Sequence, residues 1–200
     1  AEMYGDEEAT QLTSTQRSHI VNDHHFQRIV GLIEDAVAKG ANVAPGGTWD
    51  KTTRRIAPTI LENVTLDMKV MQEEIFGPVL PVMTWREPRE VQRIVRANPH
   101  PLAMYFFSKN DTQIAEWMRT IPAGTTGINE VVLHVANPNL PFGGIQTSGM
   151  GRTGGLAGFE AFSNMRSVLK QTSRFNLLPL TFPPFNGLSL SLARVVQRWL

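Results

Sequence analysis

Apolar residues recur at helical spacing in the first clear element of the chain. The spacing predicts an amphipathic helix over residues 23–39. Asn22 or Asp23 can cap its amino end, and Gly40 can terminate it. The predicted apolar face consists of Phe26, Ile29, Val30, Ile33 and Val37.

Short apolar runs alternate with helical patterns through the middle of the chain. Pro88 and Asp111 each stand where a helix can begin, and Pro58 marks a strand end or an edge strand. Strand–helix–strand alternation over residues 56–135 indicates an α/β fold with parallel neighbouring strands. The predicted strands are residues 56–61, 79–85, 103–108 and 127–135.

Glycine is concentrated in residues 143–158, which hold seven of the 16 glycines. Such a density indicates a loop whose backbone needs positive φ or close approach. Residues 149–154 match G-x-G-x-x-G letter for letter, which is a dinucleotide-binding pattern only between a strand and a helix. No strand precedes it here, so we interpret it as a structural glycine loop. A helical turn and a strand are predicted within residues 159–171.

The last 27 residues differ in composition, because residues 174–200 hold no Asp or Glu. Their basic residues and one apolar helical face are typical of an interfacial helix. A helix packed on the protein surface, or on a partner subunit, is the other interpretation. The apolar face consists of Leu188, Leu192, Val195, Val196 and Trp199.

Charge and composition exclude several classes of protein. The 200 residues carry 19 Lys and Arg against 18 Asp and Glu, a net charge of +1, which argues against a nucleic-acid binder. The absence of cysteine excludes disulfides, cysteine zinc sites and a thiol nucleophile within this chain. The five histidines are scattered, so no metal site is predicted. The polar start at Ala1, without Met, predicts a processed or excised chain.

The segment Glu73-Glu74-Ile75-Phe76-Gly77-Pro78 places two carboxylates directly before an apolar strand. One interpretation is a charged loop that merely precedes the strand. The other is a carboxylate that binds sugar hydroxyls, with an aromatic ring beside it to pack on a cofactor or substrate. Spacing alone does not separate the two interpretations.

Three motifs carry a resemblance to a known family. Residues 70–82 resemble the E-E-[IF]-F-G-P signature of aldehyde dehydrogenases, and residues 101–108 are similar to their P-L-A-x-Y strand. Residues 140–163 resemble the family's P-F-G-G-x-x-x-S-G-x-G run. The local sequence around Asn129, His134 and Met71-Gln72 most resembles that of the fatty-aldehyde and coniferyl-aldehyde branch. In order along the chain, the resemblance covers about residues 5–172.

The resemblance implies an α/β fold: a partial aldehyde-dehydrogenase-like catalytic domain with a mixed, mostly parallel sheet and flanking helices. That domain would occupy residues 1–165, an oligomerisation strand residues 166–173, and a C-terminal extension residues 174–200. It also implies that Glu74 binds the nicotinamide ribose hydroxyls, that Phe76 packs near the nicotinamide, and that Phe142 lines the aldehyde tunnel.

The implied activity is oxidation of an aldehyde to a carboxylic acid by NAD or NADP through a cysteine thioester. In the family, the cysteine, its general base and the Rossmann domain lie upstream of the position of Ala1. We therefore expect this chain alone to be inactive, with no catalytic residue of its own and no tight cofactor binding. A non-catalytic homologue that acts as a structural or regulatory partner is the alternative.

The same reasoning leads to expectations about partners and location. We expect a homo-oligomer, or pairing with a missing amino-terminal half, because apolar surface left uncovered recruits partners. We expect a cytoplasmic location. The C-terminal tail would contact either the membrane or a protein surface.

Overall fold

The computed structural model describes Leu12 and residues 17–172, 182–183 and 186–198. Two compact units divide the chain, Ala1–Ala161 and Phe162–Leu200. The first contains every strand of the described chain, and the second contains one helix. The α/β fold class with parallel strand pairs and flanking helices is confirmed.

The first helix, α1, spans Asp23–Ala38 and matches the predicted element. Its amino end is capped by Asn22, whose Oδ1 accepts a hydrogen bond from the His25 backbone N–H at 2.9 Å. Gly40 follows with φ +99°, a left-handed conformation suited to a helix end. Val37 is 47% exposed, so its predicted place on the buried face is wrong. In the last turn it is Ala36 that packs on the core; the buried residues are Phe26, Ile29, Val30, Leu32, Ile33 and Ala36.

The next five strands are β1 (Asn42–Val43), β2 (Trp49–Asp50), β3 (Arg55–Ile56), β4 (Thr59–Glu62) and β5 (Val79–Pro81). Three of them form a sheet that packs against α1, in the order β1-β4-β5. The central strand pairs antiparallel with β1 and parallel with β5, with Thr59 opposite Val79. A separate hairpin pairs β2 with β3. Pro58 divides the predicted 56–61 strand into β3 and β4, and β5 is shorter than predicted.

A continuous hydrophobic core lies between α1 and this sheet. Thr59 is the buried polar residue within it, and its Oγ1 donates to the Ala57 carbonyl at 2.8 Å. Its Oγ1 also accepts from the Gly47 N–H at 3.0 Å, so the buried hydroxyl is paired. Besides the helix residues, the core contains Ala41, Ile56, Leu61, Val64, Met68, Val70 and Val79.

A second parallel pair follows along the chain. Helix α2 spans Pro88–Ala97, with Pro88 at its start as predicted. Strand β6 (Ala103–Phe106) leads through helix α3 (Asp111–Thr120) to strand β7 (Thr125–Ile128), which pairs parallel with β6. The cap of α3 is the Asn110 side chain, which accepts from the Gln113 N–H, rather than Asp111.

The predicted strand over residues 127–135 is wrong beyond Ile128. Asn129 and Val132 have φ of +53° and +65°, which breaks the extended backbone after β7. The apolar run then forms a short helix, α4 (Leu133–Ala136), in which Leu133 and Val135 are exposed. An apolar run alone does not distinguish a strand from a helical turn.

The remaining helices are α5 (Gly155–Ala161) and α6 (Gly187–Gln197). Within residues 164–172 the described backbone forms no strand, so the oligomerisation strand at 166–173 stays a prediction. On the predicted face of α6, Leu188, Leu192 and Val195 are exposed, whereas the Val196 side chain and Trp199 lie outside the described residues. No helix in the described part of the chain has the length and apolarity needed to cross a bilayer.

Candidate functional site

Glu74 and Phe76 lie in the loop that leads into β5, and both side chains face solvent. The Phe76 ring is 81% exposed, which is unusual for a side chain of this size. Phe76 also has φ +47°, an uncommon backbone conformation for a bulky residue. Among the described residues, no hydrogen bond or ion pair engages the Glu74 carboxylate. The loop therefore presents an unpaired acceptor and an open aromatic face.

Arg28 of α1 binds the backbone of this loop. Its Nη1 donates to the Glu74 carbonyl at 3.0 Å and its Nη2 donates to the Ile75 carbonyl at 2.7 Å. Nη1 also lies 3.5 Å from the Glu73 carboxylate. The guanidinium fork therefore fixes two successive carbonyls of the loop.

Further contacts secure the two ends of the segment. The Asp35 carboxylate accepts the Lys69 backbone N–H at 2.8 Å, and this hydrogen bond lowers the pKa of Asp35 below 3.8. Asn98 Nδ2 donates to the Met71 carbonyl at 2.8 Å. At the other end, the Thr59 N–H donates to the Pro78 carbonyl at 2.9 Å. The loop is thus tied to α1, to the end of α2 and to β4.

An open hollow of about 480 Å³ lies beside the Phe76 ring. Its lining is mainly apolar, with two imidazoles at its border. It leaves room for a flat ring against Phe76. The lining residues are His19, Ile20, Val21, His25 and Phe76.

Phe142 lies elsewhere, in the loop before the glycine-rich segment. Its backbone forms an antiparallel bridge with Thr153, with 2.8 Å hydrogen bonds in both directions. The next two residues must be glycine for steric reasons. A Cβ at Gly144 would lie 2.1 Å from the Ser148 carbonyl oxygen, and one at Gly143 would lie 2.5 Å from the Gly151 oxygen. Backbone packed against backbone therefore sets the position of Phe142.

The Phe142 ring is half-buried and has aromatic neighbours. The centroids of the His134 and Phe142 rings are 6.0 Å apart, and those of the Tyr105 and His134 rings are 5.7 Å apart. The imidazole is fixed by a 3.0 Å hydrogen bond between its Nε2 and Thr125 Oγ1. His134 is therefore a part-buried histidine with a hydrogen-bond partner.

The other sequence motifs have structural explanations. Residues 149–154 form the expected glycine loop, in which Gly151 and Gly154 have φ of +76° and +84°. Ser148 Oγ accepts from the Ile145 N–H at 2.9 Å, as a turn serine does. No group of three potential metal ligands exists within the described residues.

The candidate site thus has two parts. No hydrogen bond, ion pair or ring contact in the described structure joins the Glu74 loop to Phe142. The sequence analysis missed Arg28, because an arginine at that point of an amphipathic helix looks like any solvated residue. It also missed Thr125, the first residue of β7, which pairs with His134 because the chain leaves the strand after Ile128 and forms α4.

Comparison with known proteins adds the family. The model of the aldehyde dehydrogenase family matches residues 5–168. The chain is 43% identical over 173 residues to the dimeric NADP-preferring aldehyde dehydrogenase of Mus musculus, covering 86% of this chain and 36% of that protein. It is 42% identical over 161 residues to an aldehyde dehydrogenase of Craterostigma plantagineum, covering 80% and 33%.

A solved structure is also similar. The substrate-bound state of Staphylococcus aureus AldH superposes with a TM-score of 0.79 and 34% identity, covering 98% of this chain and 41% of that one. The chain spans about a third of the length of the two relatives above. Because the family model matches 164 of the 200 residues, the chain belongs to the aldehyde dehydrogenase family.

Proposed function

We propose that this chain supplies part of the active site of an NAD(P)-dependent aldehyde dehydrogenase. In the proposed reaction, a thiolate adds to the aldehyde carbon, and water finally cleaves the resulting thioester to the carboxylic acid. When bound, NAD⁺ or NADP⁺ accepts the hydride that leaves this carbon. The thiolate comes from outside the chain, which has no cysteine.

The exposed pair of Glu74 and Phe76 is the observation that carries the proposal. A carboxylate without a protein partner can accept hydrogen bonds from two adjacent ribose hydroxyls. The exposed Phe76 ring, beside the 480 Å³ hollow, offers a flat apolar surface for the nicotinamide. The residues present therefore fit one end of the dinucleotide, and NAD and NADP both remain in the proposal.

Phe142 is the proposed wall of the aldehyde tunnel. Its ring packs near His134 in a cluster that the glycine loop and Thr125 hold in place. An aromatic side chain in the wall of the tunnel would pack against the apolar part of an aldehyde and so favour its binding. The narrower assignment, to the fatty-aldehyde and coniferyl-aldehyde branch, is part of the proposal and rests on the motif wording around Asn129 and His134.

The proposal includes a partner, which is either another copy of this chain or an amino-terminal half like that of the family's longer members. Large apolar side chains are exposed in each of the two units, among them Leu133 in the first and Phe162 and Leu169 in the second. Exposed apolar surface of this kind marks a contact surface. A strand at 166–173 that pairs with a partner sheet would add main-chain hydrogen bonds. A cytoplasmic location and contact of the tail with either protein or membrane complete this part of the proposal.

The test compares two variants of the native protein that contains this chain. Glu74→Gln should raise the KM for the cofactor about tenfold or more, because a charged hydrogen-bond acceptor is lost. Its KM for the aldehyde should change little. Phe142→Ala should show the reverse pattern. Both KM values are measured by following NADH or NADPH formation with several aldehydes.

Two results would contradict the proposal. Equal effects of both variants on both KM values would contradict the separate roles proposed for Glu74 at the cofactor and Phe142 at the aldehyde. A native protein without dehydrogenase activity would favour the alternative of a non-catalytic structural or regulatory partner. The isolated 200-residue chain is the negative control, and it should show no turnover above a heat-treated sample.

A further inference from the structure

We propose that Arg28 is a positioning residue, which holds the Glu74–Phe76 loop in the conformation that binds the cofactor. The inference rests on the proposed function of Glu74 and Phe76. It adds a residue that touches neither cofactor nor substrate in that proposal. Arg28 acts through the loop backbone.

The loop has little else to hold its shape at this point. Glu73, Glu74 and Phe76 are exposed, so the loop gains little from burial. Phe76 needs positive φ, which unfavourable side-chain sterics oppose unless neighbouring contacts enforce it. A conformation of this kind persists only where the surrounding structure determines it. The two carbonyls immediately before Phe76 are the ones that Arg28 binds.

The same turn of α1 secures the loop on both sides of Phe76. Arg28 binds the carbonyls before Phe76, and its helix neighbour Ile29 packs against Gly77 after it. A Cβ at Gly77 would lie 2.7 Å from Ile29 Cδ1, so the backbone approaches the helix closely there. Ile29 is fully buried in the core. The loop thus takes its position from a rigid helix.

The chemistry of the side chain suits this role better than that of lysine. A guanidinium offers several N–H groups in a planar fork, so one side chain can bind two adjacent carbonyls and a carboxylate. A lysine ammonium is a single point donor. Arg28 remains 23% exposed, and α1 keeps its separate apolar face. Removal of Arg28 should therefore free the loop without removing the core.

Loss of the Arg28 hydrogen bonds to the Glu74 and Ile75 carbonyls should lower the affinity for the cofactor, because the loop would no longer be held in one conformation. When a loop samples several conformations, the apparent Kd equals the intrinsic Kd divided by the fraction of molecules in the binding conformation. If only about a tenth of the loop population remains competent, the cofactor Kd rises about tenfold. The aldehyde site depends on Phe142, which lies in another loop, so its KM should move little.

The experiment uses the native protein that contains this chain, with Arg28→Met, Arg28→Lys and the control Lys39→Met. Lys39 caps the other end of α1, where its Nζ donates to the Asp67 carbonyl at 2.7 Å and pairs with Asp35. The control therefore also removes a cation that binds a carbonyl and a carboxylate. Measurements are the Kd for NAD⁺ and NADP⁺ by fluorescence titration without aldehyde, both KM values, and the ligand-free unfolding midpoint.

For Arg28→Met, we expect a cofactor Kd and KM about tenfold higher, an aldehyde KM within twofold, and a midpoint within about 3 °C of Lys39→Met. Arg28→Lys should fall between wild type and Arg28→Met. An unchanged Kd in folded Arg28→Met, or an equal rise in Lys39→Met, would overturn the inference. If Arg28→Met does not fold, an unchanged Kd in Arg28→Lys overturns it. A wild-type protein that binds neither cofactor instead overturns the proposed function.

Discussion

Two regions of the first unit solve the problem of burial differently. Residues 23–82 enclose a continuous core between α1 and the β1-β4-β5 sheet. Residues 103–161 contain a well-paired β6-β7 ladder, yet their buried apolar side chains are few: Phe106, Ile114 and Ile121. Regular hydrogen bonding is therefore present in both regions, whereas closure of the apolar surface is present only in the first. Pairing of strands and burial of side chains are separate requirements of a fold.

The two parts of the candidate site lie in these two regions and are held in different ways. Glu74 and Phe76 are held by polar contacts to a helix that is itself anchored in the core. Phe142 is held by glycine backbone packing and by rings around His134. Substitutions should therefore act through loss of apolar burial or of polar contacts in the first region, and through steric clash in the second.

The largest expected contrast is between two phenylalanines. Phe26→Ala should reduce the free energy of unfolding by about 3–5 kcal/mol, because Phe26 is 1% exposed in the core. Phe107→Ala should change it by less than about 0.5 kcal/mol in this chain, because Phe107 is 71% exposed. Urea unfolding monitored by circular dichroism measures both.

The same pair can sharpen the comparison in the native protein that contains this chain. A large loss for Phe107→Ala there, with a small one in this chain, would show that another surface covers the second region. Similar losses for both variants in this chain would contradict the distinction between the regions.

A smaller effect is expected at Gly144. Gly144→Ala should cost about 1–3 kcal/mol, because the new Cβ would meet the Ser148 carbonyl at 2.1 Å and the backbone must shift. In the native protein, the shift should also raise the KM for the aldehyde, since Gly144 follows Phe142 so closely. Unfolding and steady-state assays measure the two effects.

Gly31→Ala in the middle of α1 is the matched control. A Cβ there would meet no atom within 4 Å beyond its chain neighbours and the backbone of α1 itself, so the alanine should stabilise the helix by about 0.5–1 kcal/mol. Destabilisation by both alanines to the same extent would count against the steric explanation at Gly144.

The smallest expected effect concerns acid stability of the first region. The pKa of Asp35 is lower in the folded chain than its usual 3.8, chiefly because its carboxylate accepts the Lys69 N–H. Its stabilisation is therefore fully present above 3.8 and is lost as the pH falls through the lower folded value. Asp35→Asn should unfold more easily than wild type at pH 7, and the difference should shrink in stronger acid.

Urea midpoints at pH 7 and at successively lower pH values measure this difference. Glu34→Gln, at an exposed carboxylate on the same helix, is the control and should shift the midpoint little. A gap between Asp35→Asn and wild type that does not depend on pH would rule out the carboxylate charge as its source.

Sequence patterns predicted much of the fold but less of the site. The bounds of α1, the start of α2 and the parallel pairing follow from periodicity and from Pro88. Glu74, Phe76 and Phe142 were singled out by resemblance to a family, because nothing in their spacing assigns them a role. Their proposed roles remain predictions. The strand at 127–135 failed because residues of positive φ are not visible in an apolar run.

Local rules act between residues close in sequence, so they were sufficient for α1, for the start of α2 and for the glycine loop. A helix cap such as Asn22 needs only the next three residues. The clamp on the Glu74 loop joins residues 46 and 47 positions apart. Whether Arg28 meets solvent or two carbonyls depends on how α1 packs on the sheet. That packing is set by the whole core, so contacts between distant segments turned an ordinary surface arginine into a support for the candidate site.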